Sequence, residues 1–153
     1  EKAVVNVGLG KMHGEGHFED KILPEISKEL GLITGQKPSS RPARMSIAGF
    51  KVREGEAIGL KVTLRRKKMA DFLARLIHAA LPRVKDFRGL DPKIIDKGGN
   101  MNIGLQDKMV FPEIDPNESR LNFGIQITIV PKAVNPKKEN MIEFYEALGF
   151  HLK

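Results

Sequence analysis

Residues 57–65 read AIGLKVTLR, and apolar and polar side chains alternate in the second half of this stretch. Successive side chains of a β-strand point to opposite faces, so the pattern predicts a strand that is buried on one side only. Val62 and Leu64 would then face a core. The opposite face would carry Lys61, Thr63 and Arg65. The stretch therefore predicts a half-buried sheet whose open face is cationic and polar.

The same periodicity predicts the other secondary-structure elements of the chain. Further strands are predicted over residues 3–9, 102–105, 108–111 and 122–130, and residues 37–44 are predicted to be an extended edge arm because they contain two prolines. Apolar residues at spacings of three and four predict three helices. These cover 23–33, with Pro24 in the first turn, 69–80, ended by Pro82, and 137–148, followed by Gly149.

Strands that are apolar on one side, with helices between them, predict an α+β fold. We expect an antiparallel β-sheet with helices packed on one face, because a sheet of this kind can leave its second face to solvent. A chain of 153 residues fits one domain, so residues 1–153 are predicted to be a single domain. The sequence starts inside a predicted strand, and we expect that an N-terminal segment of the protein is missing from it.

The positive charge of the chain is concentrated in one segment. The formal net charge is +7, from 26 Lys and Arg against 19 Asp and Glu. Residues 37–68 contain ten of the basic residues and two acidic ones, so this segment nets +8 and the rest of the chain nets −1. A basic segment on a neutral body is typical of proteins that bind nucleic acid phosphates. The alternative interpretation is a solvated basic surface.

The composition argues against several other classes of protein. Cysteine is absent, which removes disulfides, thiolate metal sites and cysteine nucleophiles. No apolar run approaches the ~20 residues of a membrane-spanning helix, and no signal peptide is visible. We therefore expect a protein without cofactor, metal or membrane partner.

Three motifs could carry chemistry, and each has a simpler explanation. Gly8-Leu9-Gly10 follows a predicted strand as in dinucleotide-binding proteins, but the third glycine of that motif is replaced by His13. His13 and His17 have a metal-ligand spacing only if they lie on a helix, and the glycines around them predict a loop with exposed histidines. Glu113 and Asp115 flank a predicted turn, with no nucleophile beside them. We expect no catalytic residue, and a small α/β enzyme is the alternative.

Residues 46–55 (SIAGFKVREG) are predicted to be an exposed tip, because Gly49 and Gly55 bracket an apolar residue, Phe50, in a loop. A phenylalanine among cations can pack on RNA bases or ribose. It can equally cover a small local core under the loop, and both interpretations stay open.

Six runs, in this order, resemble the bacterial-type ribosomal protein L5 family over nearly the whole chain. They are residues 5–10 (VNVGLG), 32–38 (LITGQKP), 46–55 (SIAGFKVREG), 58–65 (IGLKVTLR), 80–90 (ALPRVKDFRGL) and 110–115 (VFPEID). The resemblance implies a non-enzymatic, structural constituent of the large ribosomal subunit. It would bind 5S rRNA in the central protuberance, beside 23S rRNA and the other proteins there. A free-standing RNA-binding or chaperone domain is the alternative within the binding proteins.

The resemblance also implies three groups of site residues. The 5S rRNA contacts would be Asn6, Gln36, Thr63 and Arg65, supported by Lys37 and Lys61. The tip would contact peptidyl-site tRNA through Ser46, Ile47, Ala48, Gly49, Phe50, Lys51 and Arg53. A bridge to small-subunit protein S13 would use Arg83, Phe87, Arg88 and Asp115. The expected location is the cytoplasmic ribosome, with an organellar ribosome as the alternative. Residues 93–100 and 131–138 match the family poorly, so no bridge contact is assigned to them.

Overall fold

A computed structural model describes residues 1–133 and 135–153. Five strands form one antiparallel sheet in the order β2-β3-β1-β5-β4, so β1 is central and β2 and β4 are the edges. The strands are β1 (Lys2–Gly8), β2 (Ser39–Pro42), β3 (Ala57–Leu64), β4 (Met101–Leu105) and β5 (Ile125–Val130). Three α-helices complete the fold, α1 (Leu23–Thr34), α2 (Arg66–Arg75) and α3 (Lys138–Leu148). The predicted α+β class and antiparallel sheet are confirmed.

A single hydrophobic core lies between the sheet and the helices. Val5 of β1, Val62 of β3 and Ile127 of β5 are all at most 2% exposed, and they share this core with Phe72 of α2 and Tyr145 of α3. Residues that alternate with them along the strands are half-buried or exposed, apart from Gly59, which leaves the second face of the sheet open. The prediction that Val62 and Leu64 face the core is therefore confirmed.

The helices differ from the predictions at their ends. A π-helical turn, Phe18–Ile22, runs directly into α1, so the helical backbone begins before the residue predicted to start it, and Pro24 lies in the first turn of the α-helical part. α2 begins at Arg66 and continues through a second π-helical turn, Leu76–Ala80, and a 3-10 turn, Leu81–Arg83. Pro82 thus does not end the helical backbone but lies at the start of the 3-10 turn, a position where its missing N–H is tolerated.

Two strand predictions need correction. Residues 108–111 do not form a strand: Lys108–Val110 is a 3-10 turn, and the side chain of Asp107 caps it by accepting a hydrogen bond of 2.9 Å from the N–H of Met109. Residues 122–124 also lie outside β5, which begins at Ile125. The predicted strands at residues 3–9 and 102–105 correspond to β1 and β4 within one residue at each end. Within the described residues, no helix is long and apolar enough to span a membrane.

Candidate nucleic-acid interface

The open face of the sheet carries a row of polar side chains across four of its five strands, and the row ends at a glycine on the fifth. Asn6 on the central strand is paired with Lys61 on β3 and with Gln126 on β5. The row continues to Ser39 on one edge strand and to Gly104 on the other. Because side chains paired across antiparallel strands lie about 5 Å apart, these residues form one continuous surface. Asn6 and Lys61, predicted to act together, are direct neighbours in it.

Gln36 is held against the same surface by a hydrogen bond. α1 ends at Gly35, which adopts a left-handed conformation (φ 75°), and this turn brings the next residue towards β3. The Nε2 atom of Gln36 donates a hydrogen bond of 3.0 Å to the backbone oxygen of Thr63, 27 residues away. Lys37 follows and is exposed. The structure therefore brings Gln36 and Thr63 into contact, although no sequence pattern connects them.

Arg65 lies at the end of this surface, where β3 gives way to α2. β3 ends at Leu64, one residue earlier than predicted, but Arg65 keeps an extended backbone (φ −136°, ψ 156°). Its side chain is 54% exposed and lies 3.8 Å from the carboxylate of Glu1. An ion pair this exposed contributes little to stability, so the guanidinium is available for another anion.

The tip is a short hairpin-like loop with a closed base. Ile47 and Val52 exchange two backbone hydrogen bonds of 2.8 and 3.1 Å, and a 3-10 turn, Ala48–Phe50, joins them. The base is closed by two further bonds, from the N–H of Ala43 to Glu56 and from the N–H of Gly55 to Ala43. The remaining members of the predicted tRNA-contacting set are exposed; they are Ser46, Lys51 and Arg53.

Phe50 has features of both predicted roles, an exposed ring for RNA contact and a cover for a small local core. Its ring packs on the loop after β1: a Cβ at Gly10 would lie 3.5 Å from the Cδ2 atom of the ring. Val52 beneath it is only 3% exposed. Phe50 itself is 41% exposed, and Met45 beside the tip is 68% exposed. The ring therefore has a partial core to join and still presents an apolar surface to solvent.

The histidine and carboxylate motifs have structural roles. The expectation that His13 is an exposed loop residue is wrong, because its side chain is only 10% exposed and packs on the ring of Phe18 at 4.9 Å between centroids. Its Nε2 atom lies 3.4 Å from the carboxylate of Glu56. In the part of the chain that the structure describes, no cluster of three or more His, Asp or Glu could hold a metal ion. Glu113 pairs with Arg75 at 2.9 Å, and Asp115 accepts a hydrogen bond from a backbone N–H of its own turn.

The predicted bridge residues lie in two different places. Arg83 lines a cleft with Gln106 and Asp107, next to the end of β4. Phe87 and Arg88 follow a few residues later and are half-buried and exposed, respectively. Asp115 instead lines a cleft formed with Glu25 and other residues of α1. The four candidates are therefore not brought together around one cleft.

Comparison with known proteins agrees with this arrangement. Residues 1–53 match the profile of the family described as Ribosomal protein L5, and residues 57–151 match that of the ribosomal L5 C-terminus. The chain is 45% identical over 149 residues to large ribosomal subunit protein uL5 of Leptospira biflexa, covering 97% of this chain and 78% of the relative. It is 44% identical over 150 residues to uL5 of Thermus thermophilus, covering 98% and 79%. With uL5 of Chlorobaculum tepidum the identity is 45% over 153 residues, covering 100% and 80%.

These matches explain the combination of a basic segment, an open polar sheet face and the absence of any motif suited to catalysis. They disfavour the enzyme and the free-standing RNA-binding domain that the sequence alone left open. The chain therefore belongs to the ribosomal protein L5 family, whose members are structural, non-enzymatic proteins of the large ribosomal subunit.

Proposed function

We propose that the open sheet face binds 5S rRNA in the central protuberance of the large subunit. The contacts are made by Asn6, Gln36, Lys37, Lys61, Thr63 and Arg65. The observation that supports this best is the continuity of the surface: Asn6 is paired with Lys61, and Gln36 donates a hydrogen bond to Thr63. Residues from β1, β3 and the end of α1 thereby act on one partner.

The chemistry of these residues suits an RNA backbone. Lys61 and Arg65 neutralise phosphates, and Lys37 adds a third charge at the same end of the surface. Asn6 and Thr63 hydrogen-bond phosphate or sugar oxygens and so fix the position of the RNA. Because the Nε2 atom of Gln36 is already engaged by the protein, its Oε1 atom is left to accept a hydrogen bond from a ribose 2′-hydroxyl, a group that DNA lacks.

The test is the affinity of the Arg65→Ala variant for purified 5S rRNA in a filter-binding assay. Loss of a charge-assisted contact should cost roughly 1.5–3 kcal/mol of binding free energy. Arg120→Ala is the matched control, because Arg120 is also exposed but lies in the loop before β5. An unchanged affinity of Arg65→Ala would refute the assignment.

The tip, in our proposal, contacts peptidyl-site tRNA. It combines the exposed part of an aromatic ring with two exposed cations, Lys51 and Arg53, and these groups can stack on ribose or bases and pair with phosphates. Its closed base lets it act as a separate unit from the 5S surface.

The bridge to small-subunit protein S13 is proposed to use two contacts. Arg83, Phe87 and Arg88 form the first and Asp115 the second, because Arg83 and Asp115 line different clefts. Other neighbours would be 23S rRNA and further proteins of the central protuberance, on the cytoplasmic ribosome. Cross-linking from Arg88 and from Asp115 to S13 in assembled ribosomes tests each contact separately.

A further inference from the structure

A groove on the open face extends beyond the residues assigned to phosphate contacts. It has a volume of about 570 Å³ and lies over β1, β3, β5 and the end of β4. It is a shallow groove that is wide open to solvent. Its polar lining consists of Asn6, Arg41, Gln106 and Gln126, and among the described residues that line it Arg41 alone is charged. The groove is thus an amide-rich extension of a cationic surface, with a single positive charge of its own.

The three amide side chains of the groove have unused hydrogen-bonding capacity. Asn6, Gln106 and Gln126 make no side-chain hydrogen bond to any residue that the structure describes, whereas nearby Asn102 is engaged by Thr128 at 2.9 Å. Each free amide offers two N–H donors and one carbonyl acceptor. A ligand in the groove would therefore meet both donors and acceptors at short range.

Two of the four glycines that line the groove are not explained by packing within the protein. A Cβ at Gly59 would lie 3.0 Å from the backbone oxygen of Val7, so strand packing favours glycine at that position. At Gly8 and Gly104, by contrast, a Cβ would meet nothing within 4 Å. Glycine weakens a strand, and in a strand interior it often marks the close approach of another molecule. Gly8 and Gly104 thus leave space that the protein does not fill.

We infer that this groove receives one unstacked base of the RNA. The inference rests on the proposed binding of 5S rRNA to the open face. The base lies over Gly8 and Gly104, its edge faces the amides of Gln106 and Gln126, and a flanking phosphate meets Arg41. Amides with donors and acceptors recognise base edges, and single-stranded nucleotides are the ones a protein can hold in this way. The cationic half of the sheet face supplies affinity, and the groove supplies preference for one nucleotide.

Two variants and a set of modified RNAs test the inference. Gly104→Val adds a side chain in the groove at a position where its Cβ meets nothing within 4 Å, and valine suits a strand, while Gln126→Ala removes one amide. Each should bind 5S rRNA at least about five-fold more weakly, the lower end of what one side chain that pairs with a base edge contributes. Gly16→Val is the matched control, because a Cβ there also meets nothing within 4 Å and Gly16 lies outside the groove.

The modified RNAs carry one abasic nucleotide at each unpaired position of 5S rRNA in turn. One of them should bind the unaltered protein at least about five-fold more weakly, yet bind Gly104→Val no more weakly than unmodified RNA does. If Gly104→Val and Gln126→Ala bind normally while Arg65→Ala does not, the groove inference fails and the proposed function stands. If Arg65→Ala also binds normally, the proposed function fails. If Gly104→Val binds weakly but no abasic position shows the coupling, the groove contacts the RNA backbone and the inference is wrong.

Discussion

The Nζ atom of Lys108 donates a hydrogen bond to the Oε2 atom of Glu29 inside the core. Lys108 is 1% exposed and Glu29 is 8% exposed, and the ammonium also lies 4.8 Å from the centre of the Phe123 ring. This ion pair connects the turn after β4 to α1. Each of these buried charges is stabilised by the other, because either one alone would be buried without a partner.

Lys108→Met should lower the free energy of unfolding by about 3–5 kcal/mol, since it leaves the Glu29 carboxylate buried and unpaired. Urea unfolding at neutral pH measures the change. The double variant Lys108→Met with Glu29→Leu should recover most of the loss, because two apolar residues can replace a buried pair. A double variant that is no more stable than Lys108→Met would contradict this explanation. Lys28→Met is the control, because Lys28 is an exposed lysine of α1, the helix that carries Glu29. It should change stability by less than about 0.5 kcal/mol.

Lys61→Gln should reduce the salt dependence of 5S rRNA binding. Removing one phosphate contact lowers the slope of log affinity against log salt concentration by about 1. Filter binding over a range of potassium chloride concentrations measures the slope. Lys97→Gln, at an exposed position in the loop before β4, should leave it unchanged. An unaltered slope for Lys61→Gln would place this lysine outside the phosphate contacts.

Replacing the tip with a short Gly-Ser turn should leave 5S rRNA binding nearly normal and weaken the retention of peptidyl-site tRNA. The hydrogen bond from the N–H of Ala43 to the backbone oxygen of Glu56 lies just outside the tip and would survive its replacement. Toeprinting and tRNA filter binding measure the effect on tRNA.

The excision also removes Val52, which is buried, so a milder variant is needed beside it. Lys51→Ala with Arg53→Ala keeps Phe50 and Val52 in place and should weaken tRNA retention in the same direction. The proposed division between the two surfaces is wrong if either variant loses 5S rRNA binding as severely as Arg65→Ala.

Tyr145→Phe should change stability in a pH-dependent way. Burial raises the pKa of Tyr145 from 10.0 to about 12, and its hydroxyl donates a hydrogen bond of 2.7 Å to the backbone oxygen of Gly99, with the backbone oxygen of Ile129 3.3 Å away. Below pH 10 the variant should be less stable by about 1 kcal/mol, the usual contribution of such a bond. Between pH 10 and 12 the unfolded chain releases this proton first, so the wild-type protein loses stability there.

The phenylalanine variant lacks that proton, and its stability difference from the wild type should therefore shrink as the pH rises from 10 to 12. Thermal unfolding of both proteins at pH 8, 10 and 11 measures the difference. A constant difference across this range would show that the hydroxyl does not titrate as a buried group.

Strand alternation was sufficient to predict β3 and the polar face of the sheet. It failed at residues 108–111 because a short run of alternating residues fits a turn as well as a strand, and the cap from Asp107 favours the turn. It also could not show that Lys108 is buried, since its partner Glu29 lies 79 residues away. Glycines around His13 predicted exposure, but packing on Phe18 determined its position.

Strand alternation also predicts part of the candidate interface. Lys61 and Thr63 follow from the period of one strand, and Gln126 could have been found from the alternation of β5. The contact between Gln36 and Thr63 could not, because it depends on how α1 ends and where β3 lies beside it. Sequence patterns report local periodicity, and this contact is tertiary.

The two edge strands of the sheet bear on how the free protein avoids self-association. A sheet edge with unpaired backbone groups invites pairing with the edge of another copy. β2 has four residues, ends in Pro42, which has no N–H to offer, and shifts register between Arg41 and Pro42. At the start of β4, Met101 forms an isolated antiparallel bridge with Ile95, which covers that part of the edge. Both features work against edge-to-edge pairing between copies of this chain while its polar face is uncovered.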